Sequence, residues 1–387
     1  MKILQVIPSI HPQLGGPSYV CAELTKKLQQ RNFFVDLVTV NDFNLSDVND
    51  KSYVDGELRN LNVKLFKPCR YGYNQYVPSL ELYSWLKQNI HNYDLVHLHY
   101  LFVFSTTVAG RLASKNGVPY IVSTIGQLAQ WSLSQRKLIK QVYSFLFEKQ
   151  LLKQASGIHC TSEGECRDVK NFGISTPCFK IPIGIYPAAD VSRNEVSKFR
   201  QEYAIADQDQ VILYFSRLHP KKRPDQLIHS FVRLKKEFPN LRLLVAGSGE
   251  SDYENYLRNL HPEQMMKDVT FLGFIAGKRK ELVLSASDIF VLPTLSENFA
   301  ISIVEAMSYG LAVVCTESVQ ISEDIRLANA GIVVDDKLEK LDPSLRDLIS
   351  SRAQSEIIRK NAKEYAMRLE WDQVVDEYIA MYQKLKR

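Results

Sequence analysis

Two glutamates eight residues apart, Glu297 and Glu305, mark the segment 286–316 as a place where chemistry could occur. Glu297 follows a short apolar run, 289–292, which predicts a buried parallel strand, and Glu305 lies in a nearly all-apolar stretch of helical length, 299–309. A carboxylate can accept two hydrogen bonds side by side, which suits the neighbouring hydroxyls of a sugar. We interpret the pair as part of a nucleotide-sugar site. The alternative is that Glu305 is an ordinary solvated helix residue.

A basic run follows another predicted strand, 211–215, and contains Arg217, Lys221, Lys222 and Arg223. Ligands of parallel α/β sheets bind at the carboxyl ends of strands, and this run occupies such an end. Arg217 and Lys222 could hold a diphosphate and stabilise its charge as it leaves. The alternative is a solvated charged face.

Glycines and histidines near the N-terminus supply further candidates. Gly15 and Gly16 separate the first predicted strand from the first helix, where backbone amides can cradle a phosphate. They do not form the dinucleotide motif G-x-G-x-x-G, and a simple turn is the alternative. We expect His97 and His99 to point to opposite faces of one strand and so to form no two-histidine metal site. His99, nearer the carboxyl end, is the candidate for the cleft, and a structural histidine is the alternative.

The elements that position these residues follow one pattern that occurs twice. Strands are predicted at 3–7, 33–40, 94–99, 119–122, 155–160 and 179–182, and then at 211–215, 241–246, 269–273, 289–292 and 312–315. Helical stretches alternate with them, beginning with a helix at 19–31 that Ser18 could cap, and the chain ends in a long helical stretch, 351–386. The alternation predicts an α/β protein with two Rossmann-like, doubly wound parallel-sheet domains facing across a cleft.

Composition limits the class of protein. The chain has 387 residues, which fits two domains, and its 45% hydrophobic and 24% charged residues are typical of a soluble globular protein. A net charge of +5 is too small to indicate a nucleic-acid-binding protein. Six cysteines without C-x-x-C spacing indicate reduced thiols in the cytoplasm rather than a zinc site. We expect no metal, and no apolar run is long enough to span a bilayer.

Basic and apolar side chains are interleaved in the segment 131–154. Such a helix could lie on an anionic membrane surface. The favoured interpretation is a domain helix with a basic solvent face.

Taken together, these motifs resemble those of the retaining glycosyltransferases of family 4, which have the GT-B fold. The resemblance runs nearly end to end. Its markers are Gly15-Gly16, 94–99, Arg217 with Lys222, the strand 269–273, Glu297-x7-Glu305, the turn and strand 310–316, and Trp371 with Tyr378 and Tyr382. Their order and spacing are more specific than any single motif.

The resemblance implies a role for each matching residue. Glu305 would bind the ribose hydroxyls, and Glu297 would contact the transferred sugar together with the backbone amides of Asn298, Phe299 and Ala300. Arg217 and Lys222 would hold the diphosphate, which Gly16 would also approach. It further implies transfer from a UDP-sugar or GDP-sugar with retention at the anomeric carbon, without a metal ion or other cofactor.

Several positions depart from the family pattern. Ile125 stands where a histidine or arginine is common, so that His99 or a backbone group would have to supply the contact to the donor sugar, or the sugar would differ. Arg223 and Ala300 stand where glycine is common. These departures concern the identity of the donor more than the ribose and phosphate ligands.

The sequence therefore predicts an acceptor-binding domain at 1–185, a nucleotide-sugar domain at 186–365 and a terminal helix, 366–387, that returns to the first domain. The predicted function is a cytoplasmic, peripherally membrane-associated glycosyltransferase that builds a polysaccharide or glycolipid from a saccharide or lipid-linked acceptor. The alternatives are a nucleotide-sugar epimerase or hydrolase on the same fold, and a non-catalytic subunit that binds a partner glycosyltransferase.

Overall fold

The computed structural model describes residues 1–11, 15–40, 54, 56, 58–69, 77–135 and 137–386. Residues 12–14 of the predicted glycine loop and Arg136 of the basic segment lie outside the described residues. The chain forms two compact units. The first contains residues 1–184 and 371–387, and the second contains residues 185–370.

The first unit is built on a seven-stranded parallel sheet whose strand order is β3-β2-β1-β4-β5-β6-β7. Its strands are β1 (Lys2–Val6), β2 (Phe34–Val40), β3 (Val63–Phe66), β4 (Leu95–His99), β5 (Tyr120–Ser123), β6 (Gly157–Cys160) and β7 (Cys178–Lys180). Every residue of β4, β5 and β6 is buried, as expected for central parallel strands covered on both faces. The order changes direction between β1 and β4, which makes their carboxyl ends the switch point of this sheet.

Helices cover the first sheet. They are α1 (Gly16–Gln30), α2 (Leu80–Asn89), α3 (Phe104–Lys115), α4 (Gln130–Ser134), α5 (Lys137–Tyr143), a π-helical turn (Ser144–Glu148), α6 (Lys149–Gln154) and α7 (Glu163–Asn171). The prediction that Ser18 caps the first helix is wrong, because α1 begins at Gly16 with Gly15 as its cap. Ser18 lies inside the helix, where its hydroxyl donates to the Ser9 carbonyl at 3.1 Å.

The second unit is built on a six-stranded parallel sheet in the order β10-β9-β8-β11-β12-β13. Its strands are β8 (Gln210–Phe215), β9 (Leu241–Ala246), β10 (Val269–Gly273), β11 (Ile289–Leu292), β12 (Ala312–Thr316) and β13 (Ile332–Val334). Its helices are α8 (Arg193–Glu202), α9 (Pro224–Leu234), α10 (Ser251–Arg258), α11 (Glu263–Met266), α12 (Gly277–Ser285), α13 (Ile301–Ser308), α14 (Ser322–Leu327), α15 (Leu341–Ser350) and α16 (Arg352–Met367). The predicted α/β class with two doubly wound parallel sheets is confirmed.

The last helix, α17 (Trp371–Leu385), belongs to the first unit. Trp371 is buried against Gly184, where a Cβ atom would lie 2.3 Å from the indole ring. Tyr382 hydrogen-bonds His97 Nδ1 at 2.7 Å, and Tyr378 lies 3.0 Å from His159 Nε2. The predicted single helical stretch 351–386 is therefore two helices, since the chain breaks between α16 and α17 to place these aromatic side chains in the first unit.

Candidate functional site

The switch point of the second sheet lies between β8 and β11, which pair directly, Ile289 opposite Ile212. Arg217 and Lys222 follow β8, and Glu297 follows β11, so that the sheet order itself brings these side chains to one edge. This edge is where ligands of open α/β sheets bind.

The loop after β8 rests on the loop after β9. Leu218 N donates to the Ser248 carbonyl at 2.9 Å. The backbones approach so closely that a Cβ atom on Gly247 would lie 1.9 Å from the Ser216 carbonyl oxygen, and one on Gly249 would lie 2.1 Å from the Leu218 carbonyl oxygen. The absence of side chains at Gly247 and Gly249 thus lets the backbone on either side of Arg217 pack directly against this loop. The only signal of this role in the sequence is a Gly-Ser-Gly directly after a predicted strand.

Lys222 ends a short 3₁₀ turn, Pro220–Lys222, and is almost fully buried, with its ammonium in contact with the Glu297 carboxylate. Burial, and then the positive charges of Lys221 and Arg217, lower the pKa of Lys222 to about 7. Burial and Arg217 likewise lower the pKa of Lys221 to about 8. Three cationic side chains that repel one another at a switch point form a site in which a polyanion would relieve the repulsion.

Backbone hydrogen bonds connect the loop that carries Glu297 to its neighbours. Leu295 N donates to the Lys221 carbonyl at 2.9 Å, and Glu297 N donates to the Ser318 carbonyl at 3.1 Å. Gln320 N donates in turn to the Glu297 carbonyl at 3.1 Å. The loops after β8, β11 and β12 are therefore held together, and the Lys222–Glu297 contact is a consequence of that arrangement.

The amino-terminal end of α13 follows this loop. Ala300 caps the helix in the left-handed region, with φ 55° and ψ 64°. The amides of the first helical turn have no partner within a helix, and the helix dipole makes this end positive. Asn298 contributes a buried Oδ1 atom without a hydrogen-bond partner, and the Phe299 ring beside it is buried. An unsatisfied amide oxygen at a helix start is consistent with a site that a hydroxyl-bearing ligand completes.

Glu305 lies in the body of α13, and Lys280 of α12 donates to its carboxylate at 2.7 Å. Both side chains are partly buried, with 20% of Glu305 and 32% of Lys280 exposed. Glu305 is therefore held in a defined ion pair, in contrast to the alternative of a solvated helix residue. Lys280 could not be predicted as the partner, because it lies 25 positions before Glu305 and this spacing carries no local signal.

In the first unit, Gly15 and His99 lie beside the other switch point, between β1 and β4. Gly15 has φ 84°, which glycine adopts without strain, and α1 begins at Gly16. His99 is buried, and its Nε2 atom lies 2.9 Å from the Gln5 side-chain oxygen. Burial and the neighbouring His159 lower the pKa of His99 to about 3, so this imidazole is neutral at physiological pH.

The expectation that His97 and His99 point to opposite faces is wrong, since their ring centroids are 4.1 Å apart. Side chains two positions apart in a strand share a face. His97 is nonetheless committed to structure, because its two nitrogens lie 2.7 Å from the Tyr382 and Ser123 hydroxyls.

The loop after β5 contains Ile125 in the left-handed region, φ 50°. The buried Glu165 carboxylate holds this loop by accepting from Thr124 Oγ1 at 2.5 Å and from Gly126 N at 2.6 Å. The same side chain accepts from Thr161 N at 2.6 Å. Glu165 was not found from sequence, where it reads as one of several charges in a polar helix.

The structure thus brings Arg217, Lys222 and Glu297 together, with Asn298, Phe299, Ala300 and Glu305 on the segment that follows. Gly15, Gly16 and His99 belong to the other compact unit.

Two family models match the chain. Residues 195–365 match the model described as glycosyl transferases group 1, and residues 14–188 match the model described as glycosyltransferase family 4.

Individual proteins are similar to most of the chain. The D-inositol 3-phosphate glycosyltransferase of Rhodococcus opacus is 24% identical over 303 residues, which is 75% of this chain and 67% of that protein. The alpha-monoglucosyldiacylglycerol synthase of Streptococcus pneumoniae is 22% identical over 323 residues, which is 81% of this chain and 70% of that protein. The crystal structure of Anabaena HepE in complex with UDP-glucose has a TM-score of 0.78 at 21% identity and covers 100% of both chains. That structural likeness shows the fold.

Proposed function

Because this chain belongs to the group 1, family 4 glycosyltransferases and has the GT-B fold, we propose that it moves a hexose from a UDP-sugar to a saccharide or lipid-linked saccharide with retention of anomeric configuration. The observation that carries the proposal is the buried Lys222 in contact with Glu297 beside Arg217, at the switch point between β8 and β11.

The diphosphate would bind the cations after β8. As the bond between the anomeric carbon and the phosphate oxygen breaks, negative charge grows on the leaving diphosphate. Arg217 and Lys222 can stabilise that charge more strongly in the transition state than in the bound donor. Lys222 is well suited to this role, because a bound diphosphate would offset the charges of Lys221 and Arg217 and so favour the protonated form of this buried lysine. Gly15 and Gly16, at the switch point of the first unit, are proposed to offer backbone amides to a phosphate.

The ribose and the transferred sugar would bind along α13. Glu305 is proposed to accept from the ribose hydroxyls through its carboxylate, with Lys280 holding it in place. Glu297 and the amides of Asn298, Phe299 and Ala300 are proposed to bind the sugar hydroxyls, which would also supply the missing partner of Asn298 Oδ1.

His99 is proposed as a hydrogen-bonding group for a sugar hydroxyl at the switch point of the first unit. Its low pKa argues against a role as proton donor at neutral pH, because the ring is then neutral and only the imidazolium form gives up a proton readily. The Gln5 side-chain oxygen lies 2.9 Å from His99 Nε2 and can only accept, so Nε2 carries the proton. The Nδ1 atom is then the nitrogen left to accept a hydrogen bond.

We favour UDP over GDP as the donor nucleotide. The support is the likeness of the fold to Anabaena HepE, whose crystal structure holds UDP-glucose. The similar proteins named above differ in acceptor, one being named for an inositol phosphate and the other for a diacylglycerol product.

A lipid-linked acceptor fits the surface of the first unit. Leu138, Val142 and Leu146 follow one another at four-residue spacing and are 78%, 61% and 50% exposed. Lys149 and Lys153, farther along the same helical segment, are also exposed. We propose that this apolar stripe lies on an anionic membrane surface at the cytoplasmic face. None of the described helices is long and apolar enough to cross a bilayer.

A glycosyl-transfer assay with the UDP- and GDP-sugars tests the proposal. Folded Arg217→Ala and Glu305→Ala variants should lose transfer, whereas Leu327→Ala, at an exposed position of the second unit, should not. Transfer by the two variants at the parental rate would overturn the assignment. Donor cleavage that does not depend on any acceptor would indicate a hydrolase, and nucleotide binding without turnover would indicate a non-catalytic subunit.

The membrane contact has its own test. Leu138→Glu combined with Val142→Glu should weaken sedimentation with vesicles containing anionic lipid, and Leu327→Glu, whose parent side chain is 81% exposed, is the matched control. Equal binding by both variants would contradict the membrane contact.

A further inference from the structure

Three of the six cysteines meet in the first unit, although no short spacing in the sequence connects them. The sulfur atoms of Cys160, Cys166 and Cys178 all lie within 4.8 Å of one another. Cys160 and Cys166 are buried, and Cys178 is half-buried. Among the described residues, this is the one group of three or more histidine, cysteine or acidic side chains whose ligand atoms come together in this way.

The convergence follows from the register of the sheet. Cys160 ends β6, and Cys178 begins β7 opposite Ile158, two positions before Cys160. Side chains two positions apart share a face, so both thiols lie on the same side of the sheet. Cys166 comes from α7, which packs on β6 and β7. Three separate elements thus each contribute one sulfur to one point.

The geometry fits a metal ion. Sulfurs bound at about 2.3 Å to a common Zn²⁺ lie roughly 3.8 Å apart in a tetrahedral site. Sulfurs already within 4.8 Å of one another therefore need to move by less than about 1 Å each to reach such positions. The half-exposed side of Cys178 leaves room for a fourth ligand, either water or the exposed Glu163 at the start of α7.

We propose that Cys160, Cys166 and Cys178 form a binding site for one thiophilic d¹⁰ metal ion, Zn²⁺ or Cu⁺, that joins β6, α7 and β7. Binding of Zn²⁺ by three thiols releases three protons and leaves a net charge of −1 on the metal and its thiolates. The exposed Lys170, one turn beyond Cys166 on α7, lies on the side where it can offset that charge. The site is structural, since the sulfurs lie in the core of the first unit.

Cd²⁺ is the spectroscopic probe for the site. The full-length protein, reduced and stripped with a chelator, is titrated with Cd²⁺ while the thiolate-to-metal charge-transfer absorption in the ultraviolet is followed. The expected result is saturation at one ion per chain and a rise in Tm, because a ligand of the folded state stabilises it by mass action. Competition with a Zn²⁺ indicator and with a Cu⁺ chelator then separates the two candidate ions.

Cys166→Ala and Cys178→Ser remove one ligand each. Cys178→Ser keeps a polar group at a half-exposed position and so is the variant that folds most readily. Either change should weaken binding by more than the roughly 10–100-fold that loss of an outer-shell partner costs. Cys315→Ala and Cys69→Ser, at cysteines outside the cluster, should keep the parental affinity.

If the wild-type protein bound Cd²⁺ no more tightly than the Cys178→Ser variant, the proposal would be overturned. So would a disulfide between two of the three cysteines in the protein as purified, found by peptide mapping, combined with failure of the reduced protein to bind Cd²⁺.

Discussion

The Lys280 ammonium lies 2.7 Å from the Glu305 carboxylate, so the residue proposed to bind ribose is already held by a cation on the neighbouring helix. The pair is partly exposed, and such pairs contribute up to about 1 kcal/mol to stability. Its main effect is to hold the carboxylate of α13 in one orientation.

Glu305→Ala should weaken UDP binding by about 10–100-fold, because hydrogen bonds to a charged group contribute roughly 1.5–3 kcal/mol. Lys280→Met should weaken it less, by about 2–5-fold, since only the positioning of the carboxylate is lost. Isothermal titration calorimetry measures both, with Glu364→Ala, an exposed glutamate of α16, as the control. Equal losses in Lys280→Met and Glu305→Ala would mean that Lys280 itself contacts the ligand.

UDP binding should become weaker as the pH rises above 7. The pKa of Lys222 is lowered to about 7 and that of Lys221 to about 8 in the free protein, so both lose their charge between pH 7 and 9. A bound diphosphate favours the protonated lysines and raises both pKa values, so that binding above pH 7 takes up protons. The affinity should fall by up to about tenfold per pH unit for each group.

Calorimetry in buffers of different ionisation enthalpy measures this proton uptake directly. Lys222→Met should bind UDP more weakly and with less pH dependence than the parent. An affinity that stays constant from pH 6.5 to 9 would contradict the proposed contact between lysine and phosphate.

Ala300→Gly should stabilise the second unit by about 1 kcal/mol. Ala300 has φ 55°, and a left-handed residue with a side chain costs about 1–2 kcal/mol. Glycine adopts this conformation readily, which outweighs its greater freedom in the unfolded chain. Urea unfolding measures the change, and Ala306→Gly, inside α13, should instead destabilise the protein. A loss of stability in Ala300→Gly would show that packing of the methyl group outweighs the backbone strain.

Tyr382→Phe should destabilise the first unit by about 1–3 kcal/mol, because it leaves His97 Nδ1 buried without a partner. The phenyl ring keeps the apolar contacts of α17, so the loss reports the hydrogen bond. Tyr256→Phe, at a 49% exposed tyrosine, should change the free energy of unfolding by less than about 0.5 kcal/mol. Similar stability of the two variants would mean that water replaces the hydroxyl beside His97.

Several strands could be predicted from sequence, because an apolar run of four to six residues bounded by turn residues is a direct signal of a strand. The predicted bounds of 241–246, 269–273 and 289–292 match β9, β10 and β11. The strands β3 and β13 were missed, and they have only four and three residues. An apolar run this short does not distinguish a strand from a loop or a buried helix segment.

The position of a residue in the fold was predictable where the residue follows a strand within a few positions, as Arg217 and Glu297 do. It was not predictable where a partner comes from a distant element, because nothing near Lys280 or Glu165 in the sequence indicates that either faces a site residue. Packing between elements that are distant in sequence decides such contacts, as it does for the three cysteines. Positive φ angles at Arg223 and Ala300 give a physical reason why glycine is common at these positions in the family that the chain resembles.

The return of α17 to the first unit makes residues 185–370 an insertion within the other half of the protein. The two ends of this insertion lie side by side, with Ile185 N donating to the Leu369 carbonyl at 2.8 Å. A gene fragment encoding 185–370 should therefore yield a self-contained nucleotide-binding module. Deletion of the last helix, in contrast, would remove Trp371 from Gly184 and Tyr382 from His97, and so would damage the half of the protein that begins at the N-terminus.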